Sequence, residues 1–203
     1  MGTIYVARHA LTDGHGKKIV LSWTPGIYLN KEGREQTNKL SETLTPVNFT
    51  KIISSPIERA FETASIVAKS KGLNVVTDDH FAEWYMGIWT GRTFTEIKND
   101  FPEDFKTWRT TPEKLRVEHA ETLEAVSERT LEGLKTVAGK YREDTVLIVS
   151  HKDPIRAMLT KLLGTPVGFI KRLDIEMASV SRIRFNNGHF ILDMLNYIPW
   201  KPF

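Results

Sequence analysis

The sequence predicts an α/β domain with helices on both faces of a sheet, and three observations lead there. Short apolar runs rich in β-branched residues recur, as in Thr3-Ile4-Tyr5-Val6-Ala7 and Thr145-Val146-Leu147-Ile148-Val149. Segments with helical periodicity alternate with such runs through most of the chain. Two of the runs end directly in a histidine: Arg8-His9 follows the first and Ser150-His151 the second. In open α/β sheets ligands bind outside the carboxyl ends of the strands, so these two ends point to one shared, cation-rich site for an anion.

The elements follow in order. After the first strand comes a polar, glycine-containing loop over residues 12–18 and a Pro25-Gly26 turn; Asn30 then caps a helix expected over 31–44. Lys51-Ile52-Ile53-Ser54 reads as a strand. Ser55 as N-cap, Pro56 at the first helical position and Glu58 three residues on form a capping box, which puts Arg59 in the first helical turn. The macrodipole and free amides of that turn favour an anion at the same point. Gly72 stops the helix and Val75-Val76-Thr77 gives another strand. Residues 84–120, rich in Trp, Thr and Pro, read as a less regular, cap-like insertion within a single domain spanning 1–203. Thr122 caps a long helix to about Tyr141 that buries Leu123, Val126, Leu131, Leu134 and Val137. Asp153-Pro154 opens the next helix and Gly164 closes it. Two last strands, 179–185 and 189–195, flank the hairpin signal Asn186-Asn187-Gly188.

Composition narrows the function classes. The 203 residues are 40% hydrophobic, enough for a full core, and contain no cysteine, which removes disulfides, thiolate metal sites and cysteine nucleophiles together. A net charge of +3 is too small to indicate nucleic-acid binding. The first apolar segment is too short for a signal-peptide core and no run approaches transmembrane length, so a cytoplasmic protein with no membrane partner is expected. Gly14-His15-Gly16-Lys17-Lys18 imitates a phosphate-binding loop, but Leu11 stands in place of its first glycine and Lys18 in place of the Ser or Thr that holds Mg²⁺. Asp78-Asp79-His80 with Glu83 reads as a solvated turn, since neighbouring residues on a short connection diverge; no metal and no cofactor are expected.

Five ordered blocks carry a resemblance. Arg8-His9-Ala10-Leu11-Thr12, the helix start Leu29-Asn30-Lys31-Glu32-Gly33-Arg34-Glu35-Gln36, the segment Ser54-Ser55-Pro56-Ile57-Glu58-Arg59-Ala60 with Glu62-Thr63-Ala64, Glu83 followed by Gly87-Ile88-Trp89-Thr90-Gly91, and Val149-Ser150-His151 together resemble the histidine phosphatase superfamily, also called phosphoglycerate mutase-like. The nearest pattern is a branch of phosphomutase- and phosphatase-like proteins. The resemblance implies a three-layer sandwich with a mostly parallel central sheet. It also implies that His9 attacks phosphorus and becomes a phosphohistidine, while Arg8, Arg59 and His151 hold the phosphoryl oxygens. Glu83, flanked by Phe81, Trp84 and Tyr85, is the candidate acid, because apolar neighbours and a nearby anion raise a carboxyl pKa.

The chain departs from the family pattern at Ala10, where the family has glycine, and at Lys152, where glycine commonly follows the second histidine. His15 stands where an asparagine usually touches the phosphate; it is expected to donate a hydrogen bond there or to point away. The expected function is a metal-independent phosphomonoesterase for a small phosphorylated metabolite, with Arg8 and Arg59 supplying the positive charge. The alternatives are a cofactor-dependent phosphoglycerate mutase and a non-catalytic phosphate-ester or phosphoprotein binding module. A homodimer is the usual assembly for such an enzyme, although no segment specifies it.

Overall fold

The computed structural model describes residues 1–201; the final two residues of the expected 1–203 domain lie outside the described residues. The chain runs β1 (Gly2–Arg8), α1 (Lys31–Thr43), β2 (Lys51–Ser54), α2 (Glu58–Lys71), β3 (Val75–Thr77), α3 (Phe94–Asp100), α4 (Pro102–Thr110), α5 (Leu123–Lys140), β4 (Thr145–Ser150), α6 (Lys152–Leu162), β5 (Val180–Asn186) and β6 (His189–Tyr197), with short 3-10 turns between. All six strands form one sheet in the order β3-β2-β4-β1-β5-β6. The first four run parallel, and β5 and β6 add an antiparallel hairpin at one side. Its turn has positive φ at both Asn187 (48°) and Gly188 (82°), the backbone that a tight right-twisted hairpin requires.

Strand alternation divides the apolar residues between two cores. Ile4 and Val6 of β1 and Val146 and Ile148 of β4 face one side, where Leu134 and Val137 of α5 and Ile155 and Met158 of α6 cover them. Ala7, Leu147 and Val149 face the other, against Leu40 of α1 and Ala60, Ala64 and Val67 of α2. This is the expected three-layer sandwich, with a mixed sheet as its central layer. A third apolar cluster, with Trp84, Met86, Trp89, Ile97 and Leu115 packed on Leu123, Val126 and Ala157, holds the segment after Glu83 against α5 and α6.

Two local expectations are corrected. Ser55 is not an N-cap: α2 begins at Glu58 with Ile57 as its cap residue, and no side chain caps it. The Ser55 hydroxyl accepts from Ile57 N–H at 3.2 Å and pairs with the His151 ring at 2.7 Å, while Glu58 accepts from Gly26 N–H instead of closing a capping box. Arg59 nonetheless stays in the first turn. Residues 84–120 are also more helical than expected, since α3 and α4 lie within them. Thr93 and Glu96 form a true capping box for α3, and Pro102 occupies the start of α4. A smaller shift affects α6, which begins at Lys152, one residue before the expected Asp153-Pro154 opening, with His151 as its cap.

The helix start at α1 fixes the loop that leaves β1. Asn30 accepts from Gly33 N–H through its side chain at 2.8 Å and donates its own N–H to Leu11 O at 3.1 Å. Gln36 Oε1 accepts from Leu11 N–H at 3.2 Å. A Cβ on Gly33 would stand 2.0 Å from Leu11 O, a backbone atom that cannot move without moving the strand end. Gly33→Ala is therefore expected to destabilise the fold by about 2–3 kcal/mol, as overpacking against backbone does. Urea unfolding of the variant measures it, and an unchanged midpoint would contradict the close approach.

Candidate active site

Parallel pairing of β1 with β4 in the register Arg8↔Ser150 brings the two histidines together where both strands stop. His9 N–H donates to Ser150 O at 2.9 Å, and the rings of His9 and His151 lie 5.1 Å apart between centroids. His9 Nδ1 lies 2.8 Å from Ala10 O, an atom that only accepts, so Nδ1 carries the proton and Nε2 the lone pair. Burial, and then the charge of Arg59, pushes the His9 pKa well below its ordinary value, which keeps the ring neutral.

His151 is fully buried and shifted in the same direction by the same two causes. Its Nε2 meets Ser55 Oγ at 2.7 Å. That hydroxyl accepts from Ile57 N–H and has His151 Nε2 as the acceptor for its own hydrogen among the described residues; with that bond made, the neutral ring carries its hydrogen on Nδ1. Nδ1 has no hydrogen-bond partner among the described residues and stands 3.7 Å from Glu83 Oε2.

The arginines are half-used. Arg59, fully buried in the first turn of α2, donates from Nη2 to Ser22 O at 2.8 Å; its Nε and Nη1 have no partner among the described residues. Arg8 donates from Nη1 to Ile175 O at 2.7 Å and from Nη2 to His15 Nε2 at 3.3 Å, leaving its buried Nε unpaired. Because His15 Nε2 accepts, its Nδ1 hydrogen donates to Thr12 Oγ1 at 2.9 Å. Burial and the neighbouring Arg8 pull the His15 pKa down to about 4. His15 thus lies beside the site, its ring 5.4 Å from that of His9, with both nitrogens engaged in holding Arg8 and Thr12. Ala10 N–H donates to Thr63 Oγ1 at 3.2 Å, so the residue in place of the family glycine turns its amide into the core.

Glu83 faces the arginines from the irregular stretch just after the 3-10 turn at Asp79–Phe81. One carboxylate oxygen accepts from Trp84 N–H at 2.9 Å; the other is 3.8 Å from Arg59 Nη2. Burial, then the charge of Asp153, outweighs the pull of Arg59 and raises its pKa from 4.5 to about 7. A pocket of about 180 Å³ opens beside Arg8, His15 and Glu83 and is lined also by Met86, Phe94, Trp108, Lys152 and Asp153. Lys152 is paired with Asp174 at 2.6 Å. Among the described residues no group of three or more His, Asp or Glu side chains is arranged to hold a metal ion, and no helix is long and apolar enough to cross a membrane.

A family model for the histidine phosphatase superfamily, branch 1, matches residues 4–198. The chain belongs to that superfamily. Phosphoserine phosphatase 1 of Hydrogenobacter thermophilus is 32% identical to this histidine phosphatase over 83% of the chain and 80% of the relative. Phosphoglycerate mutase-like protein 4 of Arabidopsis thaliana is 26% identical over 84% of the chain and 80% of its own length. Among solved structures, YhfR of Bacillus stearothermophilus superposes with a TM-score of 0.94 at 25% identity, covering 98% of both chains. A mycobacterial glucosyl-3-phosphoglycerate phosphatase shares the fold with a TM-score of 0.86 at 24% identity, over 96% of this chain and 98% of that one.

Sequence reasoning missed Arg129, which in this histidine phosphatase helps to fix the Glu83 segment. Arg129 of α5 donates to His80 O and Ala82 O from Nη1, both at 2.9 Å, to Glu83 O at 3.1 Å from Nη2, and to both carboxylate oxygens of Glu121. On a helix whose pattern marks only its apolar face, nothing in the sequence separates Arg129 from a solvated arginine.

The raised Glu83 pKa has a stability consequence. Between about pH 4.5 and 7 the folded protein retains a proton that the unfolded chain has released, so this residue's contribution to stability falls as pH rises through that window. Glu83→Gln removes the effect. Its unfolding free energy relative to wild type should rise by on the order of 2–3 kcal/mol between pH 4.5 and 8 in denaturant titrations, and a difference independent of pH would show an ordinary carboxylate.

Proposed function

We propose that this chain is a metal-independent phosphomonoesterase that hydrolyses a small phosphate ester through a phosphohistidine at His9. One observation carries the reading: the unpaired N–H groups of Arg8 Nε, Arg59 Nε and Nη1 and His151 Nδ1 belong to buried side chains around an unprotonated His9 Nε2. A buried donor without an acceptor costs about 1–3 kcal/mol, and more when charged. A phosphoryl group supplies acceptor oxygens for such donors, beside the nucleophile that attacks its phosphorus. Names of relatives support the same class, since phosphoserine phosphatase 1 is the 32% identical protein.

In the first step the His9 Nε2 lone pair forms a bond to phosphorus as the ester P–O bond breaks. The leaving oxygen takes the proton of the Glu83 carboxyl, which a pKa of about 7 keeps partly protonated at neutral pH. In the second step the resulting carboxylate accepts a proton from water, whose oxygen attacks phosphorus and breaks the P–N bond. Phosphate leaves, and His9 and Glu83 return to their starting states. Arg8 and Arg59 neutralise the equatorial oxygens throughout, the task a metal ion performs in many phosphoryl transfers. His15 contributes by holding Arg8 rather than by touching phosphate. Phe94 and Trp108, from the cap-like segment, face the leaving group. Hydrolysis is favoured over mutase transfer because the stretch from Trp84 to Gly91 continues straight into Arg92-Thr93-Phe94, without a longer basic segment to retain a second phosphorylated group.

His9→Ala is expected to lower turnover on the order of a thousandfold or more while the protein stays folded, with acid-labile phosphate trapped on wild type and absent from the variant. EDTA should leave the wild-type rate unchanged. Near wild-type activity of the variant, or strict dependence on added metal, would sink the mechanism. The proton donor is tested by ester type. Glu83→Gln should slow alkyl phosphates severely yet spare the nitrophenol burst from para-nitrophenyl phosphate, because a phenolate of low pKa leaves without a proton. For wild type, kcat/KM on alkyl phosphates should decline above about pH 7 as Glu83 ionises. Equal, small losses on both ester types would assign the proton to another group.

A further inference from the structure

Ser22 is buried in the irregular loop between β1 and α1, and it is not glycine although its φ is +40°, a backbone that L side chains avoid. That conformation accompanies an unusual set of partners. The Ser22 carbonyl accepts from Arg59 Nη2 at 2.8 Å, the one hydrogen bond that this guanidinium makes among the described residues. The Ser22 hydroxyl donates to Trp84 O at 2.9 Å and accepts from Met86 N–H at 3.0 Å. Its neighbour Trp23 donates from Nε1 to Glu83 O at 2.6 Å. A single dipeptide therefore grips the guanidinium on one side and the backbone that carries Glu83 on the other.

We propose, on the reading that Arg59 holds the phosphoryl group and Glu83 donates the proton, that Ser22 is a positioning residue that keeps the Glu83 carboxyl apart from the Arg59 guanidinium. Glu83 Oε2 lies 3.8 Å from the same Nη2 that Ser22 O occupies. At that separation the two charges attract, and closing the gap would form a direct ion pair that leaves the carboxyl ionised and turned from the leaving oxygen. Ser22 opposes this closure at both ends: its carbonyl engages one of the two Nη2 hydrogens and holds the guanidinium in place, and its hydroxyl ties down Trp84 O and Met86 N–H just beyond Glu83. Proton transfer needs heavy atoms within about 2.6–3.2 Å, so a small displacement of Glu83 slows that step while the anion-binding donors stay in place.

Two variants test it. Ser22→Ala and Ser22→Gly both lose the hydroxyl and keep the carbonyl on Arg59, and glycine also relieves the positive φ. Both are expected to bind orthovanadate within about threefold of wild type and to lose about tenfold or more in kcat on alkyl phosphates. The nitrophenol burst rate with para-nitrophenyl phosphate should change less than about threefold, because that step needs no proton. Equal losses on both esters, wild-type rates on both, or recovery in Ser22→Gly alone would overturn the proposal, the last by assigning the effect to backbone strain. Loss of vanadate binding in both variants would also overturn it, by making Ser22 a support of the whole anion site. A wild-type protein that neither binds vanadate nor releases phosphate from any ester would instead remove the phosphatase reading on which the proposal rests.

Discussion

Parallel pairing of β1 with β4 is the constraint from which the rest of the site descends. Both strands are central and bury apolar side chains on two faces, each worth about 1.5–3 kcal/mol over exposure. A slip of one residue would send every one of those side chains to the opposite face. The register is therefore held by packing, and the chemistry inherits it. His9 and His151 are the first residues beyond the paired stretch, so their separation is fixed by the sheet rather than by the loops they begin.

Around this rigid pair the electrostatics follow from one cause acting on two kinds of group. Exclusion of water lowers the pKa of His9 and His151 and raises that of Glu83. The same surroundings thus keep the His9 ring neutral and the Glu83 carboxyl partly protonated at neutral pH, where a carboxyl in water would be ionised. Two buried guanidinium groups complete the arrangement. Each is anchored to backbone carbonyl oxygen, Ile175 for Arg8 and Ser22 for Arg59, by bonds that leave other N–H groups free. Anchoring of this kind orders the cations before any ligand arrives, so little reorganisation is needed when charge builds up on a reacting group.

The sheet was legible in the sequence because its signals are local and strong. Continuous β-branched runs marked β1 and β4, and Asn187-Gly188 marked the hairpin within a residue or two. Arg8, His9, Arg59 and His151 come together in the fold because strand ends and a helix's first turn are places where sequence position translates into direction; Glu83, on an irregular connection, was singled out by the family resemblance and its apolar neighbours. Ser55 was misread for an instructive reason: Ser-Pro-x-Glu satisfies the rules for an N-terminal cap, yet its hydroxyl is claimed by His151, 96 residues away. Ser22 and Arg129 could not be found at all, because most of their partners are backbone groups far along the chain, which carry no sequence signature. The two helices within residues 84–120 carry one local signal, Thr93-x-x-Glu96 at the start of α3, but the Trp, Thr and Pro around it are weak helix formers and give the segment an irregular composition.

The third apolar cluster shares no residue with the two that cover the sheet. Phe94 and Trp108 pack at its margin and line the pocket, while the histidines and arginines hang from strand ends and α2. Substitutions that reshape this wall therefore leave strand register, and with it the placement of His9 and His151, untouched. Such a division lets selection explore new substrates in one part of the chain while reactivity is conserved in another, so divergence in leaving-group preference within this architecture need not pass through inactive intermediates.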